Sequence, residues 1–157
     1  MQKYPMTPAG HEKLKKELTQ LKTVERHKIS AEIGAARELG DIKENAEYHA
    51  AKERQGMIEA RIKELEIKVN LAEVIDPSKL SGDRVMFGAT VLLTDVKTDE
   101  EVKYQIVGDD EADIKIGRIS LSSPVARALI GKLVGDEAEV RSPKGARVFE
   151  VSKVLFE

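Results

Sequence analysis

Apolar residues recur at helical spacing through the first half of the chain and at strand spacing through the second, with the change near residue 77. Leu14, Leu18 and Leu21 open a stripe at four-then-three spacing, and Ile29, Ile33 and Ala36 resume it after a polar gap around Glu25 and Lys28. The eleven-residue step from Leu18 to Ile29 keeps a nearly straight helix in phase with a partner. Thr7-Pro8 predicts the start, an N-cap followed by proline in the first turn, with Glu12 near the positive end of the helix dipole. Ala31, Gly34, Ala35 and Ala36 are small and are expected to let two helices approach closely. A second helix is predicted from Glu44 to about Val74, with Ile58, Ile62, Leu65, Val69 and Ala72 as its seam. Gly56 is a lone weak spot there, costing about 1 kcal/mol against alanine. Two such helices joined by a short turn pack antiparallel. At ~1.5 Å per residue each is about 45 Å long, and the pair is about 20 Å across.

The turn falls in Leu39-Gly40-Asp41-Ile42-Lys43-Glu44-Asn45-Ala46-Glu47-Tyr48. Gly40 suits the position just past a helix end and Asp41 suits an N-cap, with Glu44 three residues on completing a capping-box pattern.

Pro77, Ser78, Ser81 and Gly82 end the second helix and predict a linker over 77–83. Beyond it, short β-rich runs are expected at 84–87, 89–96, 102–107, 117–121, 137–141 and 147–155. Thr98-Asp99-Glu100 and Ser142-Pro143-Lys144-Gly145 read as hairpin turns, and Pro124–Gly131 as a short helix capped by Ser123. One helix on a small antiparallel sheet makes an α+β domain. The expected organisation is a two-helix hairpin over 1–76 with a functional tip at 40–48, the linker, and a sheet domain over 84–157. The acidic cluster Asp109, Asp110, Glu111 and Asp113 reads as a solvated loop.

Composition narrows the function. The chain has 157 residues and no cysteine, and it shows neither a signal peptide nor an apolar run long enough to span a bilayer, so a cytoplasmic location is expected. With 34% charged residues but a net charge of only −2, it is no bulk electrostatic binder of nucleic acid. Aromatics at 4% and no tryptophan argue against a base-stacking platform. His11, His27 and His49 lack metal-ligand spacing, no Gly-rich phosphate loop occurs, and Ser122-Ser123 has no histidine nearby in sequence.

Asp41 and Glu44 remain. Two carboxylates on a turn and a first helical turn are suited to a hard cation such as Mg²⁺, yet they leave most of its octahedral shell to other donors. Helix capping accounts for the same pair without a metal. Ile42, apolar at an exposed turn, fits a contact surface or a local hydrophobic staple. Arg37, Lys43, Lys52 and Arg54 flank the tip and suit RNA phosphates or an ion-paired, solvated face. Tyr48 suits a stacked base or packing across the hairpin.

The stretch from Leu39 to Tyr48 resembles the tip motif of the Gre family of bacterial transcription elongation factors. Residues 107–113 and 122–132 are similar to the family's C-terminal signature, and the resemblance covers the whole chain. It implies a coiled-coil hairpin followed by an FKBP-like domain with one short helix. It also implies that the second domain docks at the rim of the secondary channel of RNA polymerase while the hairpin enters it. Asp41 and Glu44 would then help place a catalytic Mg²⁺, held jointly with the polymerase and absent from the free protein, at the 3′ end of backtracked nascent RNA. By the same resemblance Ser122, Ser123 and Pro124 belong to the docking surface, and the protein is a monomer that stimulates the polymerase's own cleavage activity without being an enzyme. A channel-plugging inhibitor of the same architecture is the alternative. A prolyl isomerase is disfavoured by the thin aromatic supply of Phe87, Tyr104, Phe149 and Phe156, and a free-standing nuclease by the lack of further acids.

Overall fold

A computed structural model describes residues 3–40 and 45–157. The chain forms two compact units, one of His11–Ala72 and the other of Tyr4–Gly10 with Glu73–Glu157. No helix of the described residues is long and apolar enough to cross a membrane.

The first unit is the helical hairpin. Helix α1 (Pro8–Gln20) runs through a π-helical turn (Leu21–Glu25) into α2 (Arg26–Arg37), and α3 (Ala46–Asn70) returns. The uninterrupted first helix expected from the sequence therefore carries one wide turn, in which Arg26 N donates to Leu21 O. It falls in the polar gap of the stripe, where no side chain is buried to hold α geometry. There Thr23 Oγ1 also donates to Thr19 O at 2.7 Å, a back-bond that loosens the regular ladder.

Leu14, Ile29, Ile33 and Ala36 are buried on the first helix, and Ala51, Ile62 and Leu65 on the second, with Leu65 at 0% exposure. The seam of α3 reaches beyond the expected Ile58 toward the tip, since Tyr48 joins Ile58 on a cluster of Ile29, Ile33 and Ala51, and the helix ends at Asn70, short of the expected Val74, with Ala72–Val74 forming a strand. Of the small residues on α2 only Ala36 lies in the seam, whereas Ala31, Gly34 and Ala35 are exposed.

Ion pairs cross the antiparallel hairpin, and from Lys22–Glu66 at 3.4 Å through Arg26–Glu59 to Glu32–Arg54 the numbers fall on α3 as they rise on the first helix. Glu17 meets Arg61 at 2.9 Å, Arg26 meets Glu59 at 2.8 Å, and Glu32 meets Arg54 at 2.8 Å. Hydrogen bonding to Arg26 holds the Glu59 carboxyl below its ordinary value of 4.5, and Lys68 followed by Arg61 does the same for Glu64. Carboxyls lowered in the folded state add stability above their ordinary value and lose it as pH falls through the lowered one. Helical melting should therefore hold steady from neutral pH to about pH 5 and fall below about pH 4, with a shallower fall in molar salt. Circular dichroism at several pH values checks this.

The second unit is a five-stranded sheet in the order β5-β4-β3-β7-β6. Its strands are β3 (Thr90–Asp95), β4 (Glu101–Val107), β5 (Arg118–Ser120), β6 (Glu137–Ser142) and β7 (Gly145–Leu155), with β1 (Tyr4–Met6) and β2 (Ala72–Val74) forming a separate pair. The sheet is not wholly antiparallel, because β5 runs parallel to β4. Two 3₁₀ turns, Asp109–Glu111 and Ile114–Ile116, supply the crossover that a parallel neighbour needs. Arg84 makes an isolated bridge to Leu133 in place of the strand expected at 84–87. Helix α4 (Pro124–Leu129) contributes Ala126 and Leu129 to a core with Val91, Leu93, Ile106 and Val151. Residues 77–83 belong to this unit: Pro77–Lys79 is a 3₁₀ turn capped by Asp76, and Pro77 is buried.

The acidic cluster is solvated only in part: Asp109 and Asp113 are exposed, but Glu111 is not. Glu111 is 8% exposed. It accepts from Thr7 N at 3.0 Å, Thr7 Oγ1, Gly108 N at 3.2 Å and Arg118 Nη2 at 3.4 Å. A buried carboxylate needs such partners, and here they bring Tyr4–Gly10 into the sheet-bearing unit. Thr7 Oγ1 in turn accepts from Gly10 N at 3.2 Å, the cap of α1.

A Cβ on Gly10 would lie 2.2 Å from Glu111 Cδ, while at Gly56 nothing stands within 4 Å. Gly56→Ala should therefore raise hairpin stability by about 1 kcal/mol, whereas Gly10→Ala should lower stability although it too is helical. Denaturant titration of both variants checks the opposite signs.

Candidate functional site

The described part of the tip is built on two helix ends. Helix α2 stops at Arg37, after which Glu38 N donates to Ala35 O and Leu39 N to Ala36 O, each at 3.2 Å. Gly40 follows with φ 139°, the left-handed half of backbone space that glycine enters without a Cβ penalty. Asp41, Ile42, Lys43 and Glu44 lie outside the described residues.

Helix α3 is capped by Asn45, four residues beyond the position that the sequence pattern gave to the cap. Asn45 has φ −88° and ψ 97°, and its Oδ1 accepts from Tyr48 N at 3.0 Å. Asparagine and aspartate are equally good N-caps, so propensity alone could not choose between the two positions. The sequence signal available for Asn45 was Glu47 in the first turn that follows it. Asn45 Nδ2 also donates to Ala36 O on the other helix. One carboxamide thus satisfies an end group of each helix and ties the two together.

Arg37 and Tyr48 add a second tie, with the guanidinium carbon 5.6 Å from the ring centroid. Tyr48 is half-buried and packs across the hairpin, with His49 edge-on to it at 5.6 Å. Lys52 is exposed and donates from Nζ to Gln55 Oε1 at 3.1 Å. Arg54 is taken up by Glu32. Among the described residues no group of three or more histidines or carboxylates is placed to hold a metal ion.

Ser122, Ser123 and Pro124 lie together at the start of α4. Ser123 Oγ accepts from Ala126 N at 3.2 Å and Pro124 takes the first helical position. Ser122 Oγ donates to Asp109 Oδ1 at 2.8 Å, and Ser120 Oγ donates to the same oxygen. Asp109 and Ser120 are partners of this loop that sequence reading missed, because the parallel β4–β5 pairing that brings residues 109 and 120 together leaves no local pattern. Phe87 and Phe149 are buried, and Arg147 covers the Phe149 ring at 4.8 Å, so these two rings line no open cleft.

Residues 4–74 match the family model "Transcription elongation factor, N-terminal", and residues 80–156 match "Transcription elongation factor, GreA/GreB, C-term". The chain is 56% identical over 158 residues to transcription elongation factor GreA of Psychrobacter cryohalolentis, with 100% of both chains covered. It is 59% identical over 156 residues to GreA of Hyphomonas neptunium, with 99% of each covered. Among solved structures, GreA factor homolog 1 of Thermus thermophilus is similar at 30% identity and a TM-score of 0.45, with 98% of this chain and 99% of that chain covered. The two-unit α+β chain belongs to the GreA/GreB family of transcription elongation factors.

With Asn45 as the cap, Asp41→Ala should leave the melting of the hairpin unchanged, while Asn45→Ala should lower its stability by about 1 kcal/mol. Equal losses in the two variants, followed by circular dichroism, would return capping to Asp41.

Proposed function

We propose that the hairpin enters the secondary channel of bacterial RNA polymerase and stimulates endonucleolytic cleavage at the 3′ end of backtracked nascent RNA, with Asp41 and Glu44 as the working residues. The observation that carries this reading is the cap at Asn45. It starts α3 at Ala46 without drawing on the acid pair, in a chain whose family acts in transcription elongation. A two-helix rod about 20 Å across is narrow enough to reach along a channel into a larger enzyme.

In this reading the carboxylates of Asp41 and Glu44 supply hard oxygen donors beside the polymerase's own acids and the RNA phosphate. Mg²⁺ bound there would polarise the scissile phosphate and an attacking water. The reaction is the polymerase's, and this chain lends part of the site. Lys52 and Lys43 are the side chains offered to RNA phosphates, since Arg37 is drawn over Tyr48. The loop held by Asp109, with Ser122, Ser123 and Pro124, is the proposed docking surface, and the chain acts as a monomer.

The test is RNA cleavage in a purified backtracked polymerase complex. The wild-type chain should release a 3′ RNA fragment. Asp41→Asn and Glu44→Gln should each slow release at least about tenfold at limiting Mg²⁺ and need more of the ion, while still binding polymerase. A chain that binds and slows synthesis without releasing RNA would establish the inhibitor reading.

A further inference from the structure

We infer that Asn45 is a positioning residue for the cleavage reaction, distinct from its capping role and resting on the tip-acid reading above. Helix α2 ends at Arg37 and α3 begins at Ala46, and in sequence both acids fall between them. Whatever fixes those two ends relative to each other fixes the base from which Asp41 and Glu44 are presented.

The Asn45 carboxamide does this through two different atoms. Oδ1 takes the Tyr48 amide and starts α3, and Nδ2 reaches the Ala36 carbonyl at the end of α2. Ala36 is itself buried in the seam, so the anchor on the far side is fixed by packing. Tyr48 is likewise held, by the cluster of Ile29, Ile33 and Ala51 and by the Arg37 guanidinium.

The two bonds separate chemically. An aspartate or serine at this position still caps α3, because each supplies an oxygen acceptor. Neither has a nitrogen to donate to Ala36. Capping alone predicts that both variants behave as wild type, whereas positioning predicts that both fail. Misplacement of reacting groups by about 1 Å is enough to cost on the order of 100-fold in rate.

The experiment compares Asn45→Asp, Asn45→Ser and Asp41→Asn with the wild-type chain in cleavage of backtracked RNA at saturating factor, alongside hairpin melting and the half-saturating factor concentration. Asn45→Asp and Asn45→Ser should stay fully helical at the assay temperature, melting only slightly earlier for want of the Ala36 bond, should keep the wild-type half-saturating concentration, and should lose about 10- to 100-fold in maximal cleavage rate. The serine variant controls for charge added by aspartate beside the acid pair. Wild-type maximal rates in both would overturn the inference, as would a loss that vanishes on cooling well below the melting transition, since that marks stability alone. A wild-type rate in Asp41→Asn would instead overturn the tip-acid reading and this inference with it, so the two failures are told apart.

Discussion

A hairpin of two long helices leaves one problem to its tip. Each helix ends with backbone groups that have no partner in their own ladder, and the chain must reverse within a few residues. In this protein one carboxamide links the two ends, since Asn45 accepts from the first turn of α3 and donates to the last turn of α2, where Leu39 N meets the same carbonyl. The consequence for function is freedom: residues 41–44 are not needed as the cap of the return helix. The stacking of Arg37 on Tyr48 and the packing of Tyr48 against Ile29, Ile33 and Ala51 support the same junction.

A second buried polar node governs the sheet-bearing unit. Glu111 sits at the 3₁₀ turn that follows β4 and draws in Thr7, so that the first turn of α1 belongs with the sheet. The acid is costly to bury alone, and four donors repay that cost. The close approach to Gly10 follows, because any side chain there would occupy the carboxylate's place. Nearby, Asp109 organises the Ser120 and Ser122 hydroxyls at the mouth of α4, which gives the proposed docking loop a fixed shape.

The periodic features were legible from the chain alone. Leu14, Ile29, Ile33, Ile62 and Leu65 all lie where their spacing put them, and the starts of α1 and α4 fall at Thr7-Pro8 and Ser123-Pro124. What escaped was set by contacts distant in sequence. Glu111 looked like one acid in a solvated run because its partner Thr7 is 104 residues away. The parallel placement of β5 depended on a crossover of short 3₁₀ turns that carry no strong period. At the tip the Asp41–Glu44 pattern pointed to Asp41 as the cap, and because asparagine caps as well as aspartate, propensity gave no sign that α3 starts from Asn45. The π turn lay in a polar gap where spacing makes no demand.

The most direct measurement is the affinity of the backtracked polymerase complex for its second divalent ion, read by Mn²⁺ electron paramagnetic resonance with and without this protein. If Asp41 and Glu44 complete a shared site, adding the chain should tighten binding of one further Mn²⁺ by an order of magnitude or more, and a chain with both acids changed to their amides should not. Identical Mn²⁺ affinity in the presence of the wild-type chain, the amide variant and no chain at all would contradict the account.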